Sequence, residues 1–306
     1  MPCAGDSIIP TLMPNYSPYA ILAFALVGLV AACSKPVDDA RAVATPSVTL
    51  SRKDAAVGAP IDVTYKFVVA PDAPAFAEDY TVFVHVLDRD REQMWGDDHQ
   101  PPTPTTQWKP GSTIEYTRTM FVPKFPYVGE AWIETGLYST KSGERLPLAG
   151  DNTGARSIRV ASFNMQLQAN ALFIVFRDGW HDAEAAGEAG LEWQWSKKVG
   201  SLSFRNPKQD ALFLIELDQP AQPFPEPQKV EIRLGQSVVD SFNLPTGRRE
   251  LRRIPLSAAQ FGTGETVDMT VVVDKTFVPA SVPQLKSLDP RELGVRVFRA
   301  FVEPKQ

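Results

Sequence analysis

Cysteine is nearly absent. Cys3 and Cys33 are the two in 306 residues, too few for a disulfide framework or a cysteine-built zinc site. Histidine is as sparse, with His85, His99 and His181 alone, so little material exists for a dedicated metal centre and no cofactor is expected. There is no G-x-S-x-G elbow, P-loop, H-E-x-x-H pair or G-x-G-x-x-G turn. Nucleophilic, phosphoryl-transfer, metalloprotease and dinucleotide redox chemistries are left without a foothold. Concentrated positive charge is missing too: 31 Lys+Arg stand against 36 Asp+Glu, for a formal net charge of -5. The densest basic run, Arg248-Arg249-Glu250-Leu251-Arg252-Arg253, is short and interrupted. Neutralising a phosphate backbone takes a basic surface, so nucleic acid is excluded as a partner.

Long apolar runs are also lacking. The longest, Tyr19 to Ala32, falls short of the ~20 residues that span a bilayer. It ends in small residues and Cys33, then turns polar at Ser34-Lys35-Pro36-Val37-Asp38-Asp39, the layout of a secretory h-region and its cleavage site. No Lys or Arg precedes Cys33, and a start at Met13 would shorten the segment without supplying that charge. Leu29-Val30-Ala31-Ala32-Cys33 resembles the bacterial lipobox. The resemblance implies a signal peptide over 1–32, lipidation of Cys33 and anchoring to membrane lipid through its acyl chains. The folded part then faces the periplasm on the cell envelope. Ser34 after Cys33 points, by resemblance to enterobacterial sorting rules, to the outer membrane. Residues 33–46 are expected as the lipidated tether.

What is plentiful speaks for β-structure: 27 Pro, 19 Gly and 43% hydrophobic residues, in short runs of period two separated by turn formers. Strands are predicted at Val48, Ile61, Tyr80, Thr113, Glu130 and Ala155, giving an immunoglobulin-like sandwich over 47–162. Eight more, starting near Leu191, Gly200, Ala211, Gln228, Val238, Arg249, Val267 and Gly294, suggest a jelly roll over 170–306. Short helices are expected at 182–189 and 257–260. The fold class is all-β, two β-sandwich domains after a lipoprotein signal peptide. Phe83-Val-His-Val-Leu-Asp, the Trp95–Thr105 run, Trp108-Lys-Pro-Gly and Gly136-Leu-Tyr-Ser-Thr-Lys-Ser-Gly-Glu-Arg-Leu resemble β-sandwich accessory domains of bacterial envelope glycosyltransferases. Trp193-Gln-Trp-Ser and Asp289-Pro-Arg-Glu-Leu-Gly-Val-Arg-Val are similar to a galactose-binding-like sandwich of surface-polysaccharide proteins. These resemblances imply a setting in exopolysaccharide biology, with a polysaccharide or an envelope protein complex as partner.

The densest polar cluster is Trp95, Asp97, Asp98 and His99, stiffened by Pro101, Pro102 and Pro104 and followed by Trp108. As a sugar-binding loop, its indoles would pack on sugar C–H faces while the acids and imidazole bond hydroxyls. Its carboxylates could instead cap backbone N–H groups, or Asp97, Asp98 and His99, with Met94, could hold a cation. Trp180 and His181 form a second candidate ligand loop with Glu184 and Glu188. Trp193 and Trp195, two apart, share one face of a strand as either core or platform. Asp88 to Glu92 is expected as a hairpin turn, and Asp289–Arg291 as a turn in which the arginine clamps a carboxylate. The sequence therefore predicts a non-enzymatic binding or assembly accessory. The competing reading is a glycan hydrolase using two carboxylates such as Asp97 and Glu134.

Overall fold

The computed structural model describes residues 40–167, 172–186, 191–222 and 224–305. Cys33 and the expected signal segment lie outside the described residues. Residues 39–306 make up one compact unit, and no helix among the described residues is long and apolar enough to cross a membrane.

The chain is all-β. Its first nine strands are β1 (Ala44–Leu50), β2 (Asp54–Ala56), β3 (Pro60–Val69), β4 (Thr81–Leu87), β5 (Gln93–Gly96), β6 (Thr113–Phe121), β7 (Gly129–Tyr138), β8 (Asp151–Gly154) and β9 (Ser157–Gln166). They form a three-stranded sheet, β1-β3-β6, and a larger one, β2-β9-β7-β4-β5, with β8 pairing β9. Period-two alternation puts Ile61, Val63, Tyr65 and Phe67 of β3 opposite Val82, Val84, Val86, Ile133 and Leu137 in one buried cluster. Burying such side chains stabilises the sandwich by about 1.5–3 kcal/mol each.

β10 (Val175–Phe176), β11 (Glu184–Ala186), β12 (Leu191–Trp195), β13 (Val199–Arg205), β14 (Ala211–Asp218), β15 (Gln228–Leu234), β16 (Ser237–Leu244), β17 (Glu250–Leu256), β18 (Thr266–Val273) and β19 (Arg296–Pro304) follow. They build two antiparallel five-stranded sheets, β10-β13-β18-β15-β16 and β11-β12-β19-β14-β17, around a second cluster that includes Phe213, Ile215, Ile232, Met269 and Val297.

Every expected strand is present, and the differences have local causes. β1 begins at Ala44, inside the expected tether, because Ala44 pairs with Val69 and Val43 is buried. β9 runs on to Gln166, since Phe163 and Met165 fill the first core. The helix expected at 182–189 is replaced, as far as Ala186, by β11: Glu184 pairs with Trp193, and cross-strand hydrogen bonds override the helix propensity of Glu and Ala. The second helix forms at Ala258–Phe261, where Ser257 and Gln260 make a capping box.

The outer face of β14, β17 and β19 meets the first sandwich. Leu214 is 1% exposed although it points away from its own core. Arg253 bonds Asp62 and Thr119, Arg52 pairs with Glu303, and the Arg299 guanidinium lies 5.4 Å from the centre of the Phe121 ring.

Candidate functional site

The Trp95–Trp108 segment is not a loop of convergent ligands. It begins as β5 and continues along the edge of β4, with Asp97 N donating to Val84 O and His99 and Val82 exchanging both backbone bonds. Pairing of this kind alternates side chains between the two faces of the sheet. Trp95, Asp97 and His99 therefore turn inward, while Asp98 and Gln100 turn outward. Three residues read together in the sequence are split across a sheet, so Asp97, Asp98 and His99 do not converge on one cation. No group of three His, Cys, Asp or Glu able to hold a metal occurs among the described residues.

The inward set is structural. Trp95 packs edge-on against Phe163, 6.3 Å between centroids. Trp108 is 3% exposed, lies 5.1 Å from Phe67 and donates its indole N–H to Thr103 O at 2.9 Å. It is a core residue, which corrects its expected role as a sugar platform. His99 is 7% exposed and sits 5.0 Å from the Tyr65 ring. Its Nδ1 is 2.8 Å from the Asp97 carbonyl and its Nε2 is 2.8 Å from the Tyr116 hydroxyl. A carbonyl only accepts, which assigns the proton to Nδ1 and leaves Nε2 to accept from Tyr116. Burial, reinforced by the Arg118 charge, holds the imidazole pKa down to about 4. Burial raises the Asp97 carboxyl against the pull of Arg118, 3.5 Å away.

The outward set assembles on the face of β4 and β7. Register pairs Thr81 with Tyr138, Phe83 with Gly136 and His85 with Glu134, and all six turn away from the inner row of Val82, Val84 and Val86. Gly136 makes room: a Cβ there would stand 2.3 Å from Phe83 Cε1, so only glycine lets that ring lie across β7. Arg145 stacks on the same ring at 4.1 Å and donates to Ala155 O at 3.0 Å. Ala155 and Arg156 both have positive φ, 48° and 56°, in the hairpin that closes β8 onto β9, a strained turn for residues with a Cβ.

Around this base Asp98 accepts from Val84 N at 3.0 Å and from the Tyr138 hydroxyl, whose pKa is raised by burial and then by Asp98. Gln100 Nε2 donates to Thr81 Oγ1 at 2.6 Å. His85, 4.9 Å from Phe83, has its pKa lowered by burial and by Arg145, with Asp98 and Glu134 pulling it the other way. Glu134 is 4% exposed, accepts from Ser157 Oγ at 2.7 Å and faces Arg91 at 3.4 Å. The result is a fixed row of hydroxyl, amide, carboxylate and imidazole groups, with Asp98 and Gln100 exposed and the Phe83 ring buried beneath it, 1% exposed. Such a row exchanges hydrogen bonds with hydroxyl-rich ligands without a conformational change. Sequence reasoning named Asp98 and missed Thr81, His85 and Tyr138 as site residues; their signal was their place in the polar phase of β4 and β7.

Asp97 and Glu134 lie on opposite faces of the sheet, so the expected acid pair cannot flank one glycosidic bond. The second expected loop is also largely committed to structure. Trp180 donates to Ser201 O at 2.8 Å and covers Gly200, and His181 Nε2 bonds the Glu292 carbonyl at 2.7 Å. Arg291 clamps Asp289 and Glu184, each at 2.7 Å. Asp88 closes its turn by accepting from Asp90 N and Glu92 N.

No protein-family model matches the chain. No curated protein matches it either. Among solved structures, the tandem domain CBM22-1-CBM22-2 of Paenibacillus barcinonensis Xyn10C aligns at 10% identity over 81% of this chain and 80% of that one, with a TM-score of 0.27. CBM51-2 and INT domains from Clostridium perfringens ZmpB align at 7% identity over 58% of this chain and 38% of that one, TM-score 0.25. The Pseudomonas fluorescens alkylpurine DNA glycosylase AlkC aligns at 13% over 41% and 31%, TM-score 0.26. The chain thus spans about a third of the length of the last two, and scores this low assign no function.

Proposed function

We propose that the chain is an envelope lipoprotein that binds a polysaccharide without cleaving it, through the outer face of β4, β7 and the β5 extension. The observation that carries this reading is the row Thr81, Tyr138, Asp98, Gln100 and His85 on a rigid sheet over the Phe83 ring. Sugar recognition needs hydroxyl partners held at fixed spacing; Asp98, Gln100, Tyr138 and His85 supply them, and the Phe83 ring, 1% exposed beneath Arg145, holds the row rigid from below. Anchoring rests on the apolar run that ends at Cys33: one acyl chain gives marginal binding and a second makes it stable. An extracytoplasmic position on the envelope, at the outer membrane by the Ser34 rule, would bring the face to surface polysaccharide.

Binding is favoured over hydrolysis by the state of the acids. Asp98 and Glu134 flank His85, but both are occupied by protein donors, Asp98 by Val84 N and Glu134 by Ser157. The test is a glycan array probed with the chain and with Asp98→Ala and Tyr138→Phe. Saturable binding that either change weakens, with no new reducing ends, supports the proposal. Release of reducing ends abolished by Glu134→Gln would establish the hydrolase instead.

A further inference from the structure

The stretch from Gly96 to Gln100 carries two members of the proposed site, Asp98 and Gln100, along an edge of the larger sheet, where β5 ends the strand order. Its backbone pairs with β4 through Asp97 N on Val84 O and the exchange between His99 and Val82. Pro101 and Pro102 follow and have no N–H with which to extend that pairing. Alternation ties the two faces together: where Asp97 and His99 are held on the inside decides where Asp98 and Gln100 stand on the outside.

The inner anchors are unequal. Asp97 meets Arg118 through one contact of 3.5 Å, and its Oδ2 atom is buried without a partner. His99 is fixed at both ring nitrogens by bonds of 2.8 Å and packs against the rings of Tyr65 and Tyr116, at 5.0 and 5.6 Å. Tyr116 belongs to β6, in the other sheet, and is itself stacked on Tyr65, 5.3 Å between centroids and 23° between planes. A chain of donors thus crosses the core. The Tyr116 hydroxyl donates to His99 Nε2, and Nδ1–H donates to the Asp97 carbonyl, part of the peptide group that joins Asp97 to Asp98. On the other face the Asp98 carboxylate takes the Val84 N–H at 3.0 Å, and Gln100 reaches Thr81 at 2.6 Å.

From this arrangement we infer that Tyr116, acting through His99, is a positioning residue of the β4–β7 face: its hydroxyl, across the core, fixes where the Asp98 carboxylate and the Gln100 amide present themselves to a polysaccharide. The inference rests on the polysaccharide reading of that face. Removing the hydroxyl leaves Nε2 buried and unbonded, and opening the strand edge to water satisfies it.

The test uses Tyr116→Phe, which keeps the ring and its stack, and His99→Phe, which fills the same space and loses both nitrogens. Thr117→Val is the control, breaking the Thr64–Thr117 hydroxyl bond of 2.8 Å on the outer side of the same strand. NMR of the detergent-solubilised full chain follows solvent exchange of the Val84 amide, which the Asp98 carboxylate holds, and a glycan array reads binding. In Tyr116→Phe and His99→Phe that amide should exchange about fivefold faster and array affinity should fall about fivefold, the equivalent of one neutral hydrogen bond. Thr117→Val should leave both unchanged. The His99 imidazole should titrate above about 4 in Tyr116→Phe, because the lost donor favoured the neutral ring; Arg118 and Asp97, which face it, are present in both proteins. A Val84 amide exchanging at the wild-type rate in folded Tyr116→Phe overturns the inference whatever the array shows. Array affinity that stays unchanged beside a faster amide also overturns it, as do equal effects in Thr117→Val, which would reduce Tyr116 to the general stability of β6. A faster amide in the variants, with a wild type that binds no arrayed glycan, overturns the polysaccharide reading alone.

Discussion

His99 provides the sharpest quantitative handle on the first sandwich. Its folded pKa is held down to about 4 from an ordinary 6.5. The group therefore contributes stability that is complete above 6.5 and lost as pH falls from there toward 4. The shift corresponds to about 3 kcal/mol between pH 8 and pH 4. Protonation buries a positive charge near Arg118 and forces the Tyr116 hydroxyl, which donates to Nε2 in the neutral form, to turn round and accept instead. Two carboxyls oppose this trend: Asp97 and Glu216 have raised pKa values, so their contribution is present at low pH and lost as pH rises. Both remain in His99→Gln, so subtracting the two proteins isolates the imidazole. Urea unfolding of each at pH 8, 6.5, 5 and 4 should show the wild-type advantage shrinking by about 3 kcal/mol on acidification. A difference that stays constant within about 0.5 kcal/mol would refute a buried neutral imidazole.

Three further outcomes are expected. Gly136→Ala should drive the Phe83 ring off β7, destabilise the first sandwich by about 1–3 kcal/mol as overpacking does, and weaken glycan binding; a variant with unchanged melting and affinity would contradict the role given to that ring. Cys33→Ser should abolish palmitate labelling and shift the protein from the membrane to the soluble or precursor fraction, and unchanged labelling would end the lipoprotein reading. Chymotrypsin should cut first after Leu167 or Phe173, which are 71% and 59% exposed between the two cores, leaving one protected fragment on each side; one fragment protected from residue 40 to 305 would show that the sandwiches unfold as one unit.

The strands were legible because apolar residues recur at period two wherever a strand has one buried face. Val82, Val84 and Val86 predicted β4 for that reason, and Val63, Tyr65 and Phe67 predicted β3. β5 and its extension escaped because the inward positions there are Asp97 and His99. Polar residues facing a core break the apolar signal, and the groups that satisfy them, Tyr116 and Arg118, lie in the opposite sheet. Trp108 misled for a related reason: an indole beside prolines reads as a platform, and its burial against Phe67 depends on a strand some forty residues away. The row that forms the proposed site was present as His85, Glu134 and Tyr138 in the polar phase of two strands. What joins them is cross-strand register, and the sequence does not carry that pairing.

The most direct test is hydrogen–deuterium exchange of the full chain with and without an array-positive polysaccharide. Protection confined to residues 81–87, 96–100 and 129–138 is the result expected of a ligand lying across the β4–β7 face. Protection centred instead on residues 172–181, or a saturated complex with no protection on β4 and β7, would contradict it.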